Sequence, residues 1–165
     1  MLILPNQNGI IDTPNPGIVM QTAKGRAIPN DQYRTPIEDI LGEHEGLKRQ
    51  YTGLGFIERR GPTGNYNCHG LTFGARRAFI YDKDFLAHIF SDDGYIKVGI
   101  ENVLPADVIL YISEDGEYTH SGIVVQATGK MQIQVCSKWG FSGEFIHWAH
   151  STPYGNNYEF WRVQR

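Results

Sequence analysis

Hydrophobic and polar positions change their spacing near Pro105, and this change divides the chain into a helical part and a strand part. Between residues 35 and 80 apolar residues recur at helical spacing, whereas after Pro105 short apolar runs alternate with turn sequences. The strand-like runs are DVILYIS, HSGIVVQ, MQIQVCSKW and YEFWRVQ, and the turn-like EDGE and ATGK separate the first three. Helices followed by strands predict an α+β domain with its helices packed on a C-terminal antiparallel sheet.

Three helices are predicted before the strands. In TPIEDILGEHEGLKRQY, Thr35 is the expected N-cap, Pro36 the first helical residue and Glu38 the partner in a capping box. The apolar side of this helix consists of Ile37, Ile40, Leu41 and Leu47. A second helix is expected from Cys68 to about Ile80, and a short third one around DKDFLAHIF. The segments TGLGF and RRGPTGNYN are expected to be loops.

Residues 1–34 differ in composition from the rest of the chain. They are rich in Pro, Asn and Gly and show little periodicity, which predicts an irregular N-terminal arm. Residues 35–165 are expected to form a single domain. A chain of 165 residues with 41% hydrophobic residues can bury one core of this kind.

Charge and hydropathy exclude several classes of partner. A formal net charge of −3 gives no general attraction to nucleic acid or to an anionic membrane. The basic pairs Arg59-Arg60 and Arg76-Arg77 are interpreted as solvated surface. No apolar run approaches the roughly 20 residues that span a bilayer, and the first residues do not resemble a secretory signal. We expect a cytoplasmic protein, one exported without such a signal, or a domain of a larger protein.

The candidate chemistry centres on Cys68, where turn residues give way to the second predicted helix. Backbone N–H groups at a helix start favour thiolate over thiol and can stabilise an oxyanion. His120 begins the strand HSGIVV and is the candidate base, since such a strand can hold an imidazole against a helix packed on the sheet. The alternative is a buried structural Cys68 beside an incidental His120.

Three motifs in order resemble the NlpC-type papain-like cysteine peptidases. NCHGLTF is similar to the motif of the nucleophile helix, Pro105-Ala106-Asp107 before VILYI to the P-G-D segment of that family, and His120-Ser121-Gly122-Ile123 to the strand of the base. The likeness covers about Tyr66 to Trp139. It implies a papain-like fold and a Cys68–His120 pair.

The sequence leaves three candidates for the third catalytic residue. If ATGK is a tight turn pairing Ala127 with Lys130, position 120 lies opposite Ser137, and a looser turn favours Gln134. His147 is a further option if the chain folds back over the site. The tail, with SKWG, His147 and YG at 154–155, also resembles uncharacterised bacterial papain-like proteins, which implies that Ser137, Lys138 and His147 lie near the site. The alternative is a solvated Lys138, a core Trp139 and a turn at Tyr154-Gly155.

A metal site competes for some of the same residues. The candidate ligands are Cys68, His69, His120, Cys136, His147 and His150. No short Cys or His spacing typical of structural zinc is present, so no metal and no cofactor is expected. Two cysteines allow at most one disulfide.

These observations predict a cysteine hydrolase that cleaves an amide bond. His120 would take the proton of Cys68, and the Cys68 N–H with Tyr66 or Asn67 would stabilise the oxyanion, with His69 and Lys138 as neighbours. The resemblance implies a peptidoglycan peptidase or amidase, as a cell-wall enzyme or an antibacterial effector. Its partners would be a peptide or peptidoglycan fragment and an inhibitor or immunity protein. The alternatives are a toxin that acts on a cytoplasmic protein, for example by deamidating glutamine, and a binding module with a degenerate site.

Overall fold

A computed structural model describes residues 17–32, 35–81 and 84–164. Seven strands form one antiparallel sheet in the order β1-β6-β5-β4-β3-β7-β2. The strands are β1 (Ile57–Arg60), β2 (Tyr95–Val98), β3 (Val108–Ile112), β4 (Tyr118–Ala127), β5 (Ile133–Lys138), β6 (Glu144–Trp148) and β7 (Tyr158–Val163). The helices are α1 (Ile37–Gln50), α2 (Cys68–Thr72) and α3 (Asp84–Asp92), with short 3-10 turns at Thr52–Leu54 and Ile100–Asn102.

The predicted α+β class and antiparallel sheet are confirmed, and the four predicted strands correspond to β3, β4, β5 and β7. Strands β1, β2 and β6 were not predicted. Strand β1 overlaps the predicted loop RRGPTGNYN at Arg59 and Arg60, and its four residues are all exposed and include three charged ones. It is an edge strand, and its pairing with β6 rather than its own sequence makes it a strand.

Helix α1 begins one residue later than expected. Pro36 is the N-cap, with the extended ψ of 142°, and no side chain caps the helix, so the predicted Thr35 capping box is wrong. The apolar side is also only partly buried. Ile40 and His44 face the core, whereas Ile37 and Leu41 are exposed. His44 anchors the helix, since its Nδ1 lies 2.6 Å from Ser142 Oγ.

Helix α2 is much shorter than the predicted helix to Ile80. It ends after Thr72, and Ala75 and Arg76 then adopt left-handed φ values of 50° and 64°. Two consecutive residues in this conformation cannot continue a right-handed helix. Helix α3 falls where a short helix was predicted, although residues 82–83 of that prediction lie outside the described residues.

The register between β4 and β5 corrects the expected hairpin. Gly122 pairs with Ser137, and Ala127 pairs with Ile133 instead of Lys130. The pairing shifts between Val124 and Gln126, which marks a bulge or irregularity. The loop is therefore longer than a tight ATGK turn, and position 120 does not lie opposite Ser137.

Both faces of the sheet are covered. One core cluster joins Val108 and Leu110 of β3 to α3 and Ile80, and the other joins Ile109 and Tyr111 to the buried residues of β4 and β5. Side chains alternate between faces along a strand, so His120 and Ser121 at the start of β4 point to opposite faces. Strand β4 therefore lies between α2, which packs on one face of the sheet, and the core cluster that contains Tyr111, which lies on the other face.

The described part of the N-terminal arm packs on the domain. Thr22 Oγ1 donates to Asp92 Oδ2 over 2.8 Å, and Ile28 is buried in the cluster that contains α3. Residues 17–32 contain only the isolated bridge partners Gln21, Ala27 and Asp31. The rest of the predicted arm, residues 1–16 and 33–34, lies outside the described residues. None of the described helices is both long and apolar enough to cross a bilayer.

Candidate active site

Cys68 is the first residue of α2, and Asn67 fixes its position. Asn67 Oδ1 accepts from the Gly70 N–H over 2.8 Å, which is N-capping geometry. The same side chain bonds to the backbone of Ile80, with Nδ2 donating to the carbonyl over 2.8 Å. Asn67 therefore ties the start of the helix to the chain that returns after it. This structural role is distinct from the oxyanion role predicted for the residue.

His69 ties α2 to the strand that carries His120. Its Nδ1 lies 2.8 Å from Ser121 Oγ, which also lies 3.0 Å from Thr72 Oγ1. Burial lowers the pKa of His69 to about 4, so the imidazole is neutral at pH 7. These contacts hold α2 against β4 on the Ser121 face of the sheet.

The Cys68 thiol lies beside the Ser121 backbone. The residue as a whole is partly exposed, but protein surrounds the thiol, and this burial raises its pKa. The backbone N–H groups of Ser121 and His69 act in the opposite direction and favour the thiolate. Lys138 and Tyr154 lie near the thiol. A negative charge on Cys68 would therefore raise the pKa of each of these two side chains.

Ring contacts hold His120 in place. It is 1% exposed, and its ring lies on that of Tyr154 with centroids 3.5 Å apart and planes inclined by 7°. Its buried Nε2 has no hydrogen-bond partner among the described residues. Burial, with smaller contributions from His147 and His69, lowers the pKa of His120 well below its usual range. No hydrogen bond between described residues joins His120 to Cys68. Because burial raises the pKa of the thiol and lowers the pKa of the imidazole, both groups rest in their neutral forms.

The residues predicted to orient His120 bind each other instead. Ser137 Oγ lies 2.8 Å from His147 Nε2 and accepts from Trp139 Nε1 over 3.0 Å. His147 Nδ1 lies 2.9 Å from the Trp148 carbonyl, which can only accept, so Nδ1 carries the proton and Nε2 accepts from Ser137. Burial lowers the pKa of His147 to about 4. Gln134 pairs with Gln126, which puts it further along the strands from His120.

Lys138 is buried, so the alternative of a solvated Lys138 is wrong. Its Nζ donates to the carbonyls of Gly140 and Ser142 over 2.8 and 2.6 Å and lies 5.4 Å from the centre of the Tyr66 ring. Burial lowers the pKa of Lys138 to about 8, although Glu144 and Cys68 act to raise it. Tyr66 is also occupied, since its hydroxyl donates to Glu144 Oε1 over 2.6 Å.

Two residues of this region were not singled out as functional from the sequence. Tyr154 does lie in the expected turn before Gly155, but its contact with His120 joins positions 34 residues apart, and no local pattern indicates it. Glu144 lies in β6, which was not predicted as a strand, and it is fully buried. A single acidic residue between Gly143 and Phe145 was the available clue, since a carboxylate followed by apolar residues in a strand needs a partner.

The candidate metal ligands and the two cysteines form neither a metal-binding group nor a disulfide among the described residues. The described residues contain no group of three or more His, Cys, Asp or Glu side chains that could hold a metal ion. Cys68 and Cys136 are both free thiols. Cys136 is buried against Tyr66 and Leu71, with its Sγ 3.8 Å from Glu144 Oε2.

Comparisons with models of known protein families, with curated proteins and with solved structures find no match. Any function for this chain therefore rests on the geometry of Cys68, His120 and the residues around them.

Proposed function

We propose that this protein is a cysteine hydrolase of papain-like fold that cleaves an amide bond, with Cys68 as the nucleophile and His120 as the base. The observation that carries the proposal is the environment of His120. Its ring is fixed against Tyr154, its Nε2 is buried without a partner, and the next residue of β4 directs its backbone N–H at the Cys68 thiol.

An unpartnered buried imidazole needs a reason. Leaving a buried polar atom without a hydrogen bond costs about 1–3 kcal/mol. Among the four buried histidines that the structure describes, only His120 has a ring nitrogen of this kind, and the one other such nitrogen among the described residues is Nδ1 of the partly exposed His88. His44, His69 and His147 each bond to a serine hydroxyl. A nitrogen kept free of structural partners is available to exchange a proton during a reaction.

The resting pair differs from a preformed thiolate and imidazolium. Burial raises the pKa of the thiol and lowers the pKa of the imidazole, so the proton stays on sulfur until the substrate binds. Hydrogen bonds between catalytic groups are often long before the substrate is present. In the proposed reaction, His120 removes the proton as Cys68 Sγ bonds to the carbonyl carbon. While the proton leaves, and before the sulfur–carbon bond is complete, the His69 and Ser121 N–H groups would stabilise the negative charge on sulfur.

The remaining steps follow from the positions of these groups. The Cys68 N–H and the Lys138 ammonium would stabilise the oxyanion of the tetrahedral intermediate. His120 then donates its proton to the leaving amine as the carbon–nitrogen bond breaks, which leaves an acyl group on Cys68. Water releases this acyl group, with His120 taking the proton of the water and returning it to sulfur. The resemblance to NlpC-type enzymes supports peptidoglycan peptides as the substrate.

A non-catalytic binding module is the second candidate. The specific observation that favours it is that Ser137 and His147 bond to each other, so neither orients His120, whose Nε2 has no partner among the described residues. Such a protein would keep the fold and the neutral Cys68 without turnover.

Acyl-enzyme trapping separates the two candidates. The protein is mixed with p-nitrophenyl acetate at pH 8, and intact mass with peptide mapping locates the acetyl group. We expect rapid acetylation of Cys68 followed by hydrolysis, no labelling there in Cys68→Ala, and a rate at least about tenfold lower in His120→Asn. The exposed His150 provides the matched control, since His150→Asn should behave as the unmodified protein. Acetylation of Cys68 at the same rate in His120→Asn would favour the binding module.

A further inference from the structure

The basic pairs that the sequence indicated as surface are not both solvated. Glu144 lies on β6, and its direct cross-strand neighbours are Lys138 on β5 and Arg60 on β1. Directly opposite residues in an antiparallel sheet place their Cβ atoms about 5 Å apart on the same face. Glu144 is also bound by Arg59 and Arg76. Arg59, Arg60, Arg76 and Lys138 are called the basic cluster below.

An irregularity in β1 brings two consecutive arginines to one carboxylate. Side chains normally alternate between faces, so Arg59 and Arg60 should point in opposite directions. The register with β6 shifts between Glu58 and Arg60, and Arg59 lies within this shift. Arg59 Nη1 consequently reaches Glu144 Oε2 over 2.6 Å, although Arg60 is the residue paired with Glu144. Bulges of this kind redirect side chains and occur frequently beside active sites.

A second irregularity brings in Arg76. Its φ of 64° is in the left-handed region, which costs a residue with a Cβ about 1–2 kcal/mol. In this conformation its Nε and Nη2 both bond to Glu144, over 2.5 and 3.2 Å. Backbone strain of this kind is found preferentially at functional sites.

The basic cluster carries more positive charge than Glu144 can neutralise. Four cationic side chains surround one carboxylate, an excess of three positive charges in a chain whose formal net charge is −3. Burial would raise the pKa of Glu144, but bonds from Arg76, Tyr66 and Arg59 lower it to about 2. The carboxylate is thus ionised and its oxygens are occupied. Arg59 uses one of its five N–H donors on it and keeps a half-exposed side chain.

The basic cluster adjoins the nucleophile. Tyr66 donates its hydroxyl to Glu144, lies beneath the Lys138 ammonium and precedes Cys68 by two residues. Tyr66 and Leu71 of α2 pack on Cys136 in one small core cluster. Lys138 is the member of the basic cluster nearest the thiol, and Arg59, Arg60 and Arg76 lie beyond it, around Glu144, on the face of the sheet that Tyr66 and α2 cover.

We propose that the basic cluster binds a carboxylate of the substrate, so that Cys68 acts on acyl groups or peptides that carry a negative charge beside the scissile bond. This inference rests on the proposed hydrolase function for its substrate. The positive potential at Cys68 is a property of the folded protein, however, and can be measured without turnover.

The first test compares alkylation of Cys68 by iodoacetate and by iodoacetamide, which differ in charge. The ratio of the two rates on one thiol cancels the thiolate fraction, and peptide mapping separates Cys68 from Cys136. We expect the iodoacetate to iodoacetamide ratio at Cys68 to be about tenfold above that of N-acetylcysteine amide at low salt. The excess should shrink as ionic strength rises, because the Debye length falls to about 10 Å at 0.1 M.

Two variants test whether the basic cluster is the source of the positive potential at Cys68. Among the described residues Arg60 makes no hydrogen bond to Glu144, and glutamine keeps a donor beside the Tyr66 hydroxyl, so Arg60→Gln should keep the fold. The ratio should fall several-fold because one positive charge is removed. Arg49→Gln, at the exposed end of α1, is the matched control and should leave the ratio unchanged. A ratio equal to that of the free thiol, an unaltered ratio in Arg60→Gln, or a Cys68 that neither reagent reaches would each overturn the proposal.

The second test uses acyl donors of equal length. Rates of Cys68 acylation are measured with the p-nitrophenyl ester of succinate and with that of monomethyl succinate, which lacks the charge. We expect the charged donor to react about tenfold faster, with the difference reduced in Arg60→Gln. Equal rates with both donors would contradict substrate selection by the basic cluster while leaving the hydrolase intact. An elevated alkylation ratio without acylation from either donor would instead refute the hydrolase and retain an anion-binding site.

Discussion

The imidazole of His120 lies flat on the phenol ring of Tyr154, with the ring centroids 3.5 Å apart and the planes 7° from parallel. Tyr154 follows His120 by 34 residues and belongs to the turn before β7. Because this imidazole lacks an orienting hydrogen bond at Nε2, the stacking is what fixes the plane of the proposed base.

Replacement of Tyr154 should therefore affect chemistry more than folding. Tyr154→Phe keeps the ring, and we expect acetylation of Cys68 within about threefold of the unmodified protein. Tyr154→Leu lets the imidazole tilt, and the rate should fall about 10–100-fold, since small displacements of a reacting group have effects of this size. The rates come from the p-nitrophenyl acetate assay over pH 6–9, with thermal unfolding as the check on folding. Full activity in Tyr154→Leu would show that the stacking does not position the base.

Removal of Ser137 should mainly lower stability. The hydroxyl donates to His147 Nε2 and accepts from Trp139 Nε1, so Ser137→Ala leaves two buried groups without partners. We expect the free energy of unfolding to fall by about 1–3 kcal/mol in urea titrations. Gln134→Ala, half-buried on the same strand, should change it by less than about 0.5 kcal/mol and leave acetylation of Cys68 unchanged. A loss of acetylation in Ser137→Ala at unchanged stability would restore Ser137 as the third catalytic residue.

Buried neutral histidines should make stability fall in mild acid. Burial lowers the pKa of His69 and of His147 to about 4, whereas an unfolded histidine titrates near 6.5. Between these values the unfolded chain binds protons that the folded protein does not, so unfolding becomes easier as the pH falls from 6.5 to 4. Each histidine contributes at most about 1.4 kcal/mol per pH unit.

The measurement is the free energy of unfolding in urea at several pH values in that window. His147→Gln should reduce the slope, whereas His150→Gln alters an exposed residue and should preserve it. A slope in His147→Gln equal to that of the unmodified protein would contradict a neutral, buried His147.

Ala106 offers a stabilising substitution. Its φ of 77° is in the left-handed region, and the motif P-G-D of the resembling family has glycine at this position. Ala106→Gly removes the Cβ that makes this conformation unfavourable and should raise the free energy of unfolding by about 1 kcal/mol. Ala127→Gly in β4 is the control and should lower it by about 0.5–1 kcal/mol. Destabilisation by Ala106→Gly equal to that of the control would show that no strain is relieved.

Local patterns predicted much of the secondary structure. The strands β3, β4, β5 and β7 were predicted because alternating or continuous apolar runs are bounded by turn residues. The start of α2 at Cys68 was predicted because turn residues give way there to helical apolar spacing. The structure adds the N-cap, since Asn67 Oδ1 accepts from the Gly70 N–H.

Other predictions were wrong or missing because the contact that decides the structure is distant in sequence. The end of α2 depends on the left-handed conformations at Ala75 and Arg76, and the latter is held by a carboxylate 68 residues away. The exposed strand β1 lacks the apolar alternation of a strand and forms because β6 supplies hydrogen bonds. The Ser137 assignment assumed a tight hairpin, but the shift near Val124 changes the register.

The sequence by itself determined where the chain can be helix or strand and placed a thiol and an imidazole at the starts of two such elements. These preferences arise from N-caps, turn residues and apolar periodicity, which act over a few neighbouring residues. Only the tertiary structure decided that Tyr154 stacks on His120, that Ser137 bonds to His147, and that Arg59 and Arg76 meet at Glu144. Register, bulges and ring packing depend on groups 10–85 residues apart, whose encounter is set by how the whole sheet assembles.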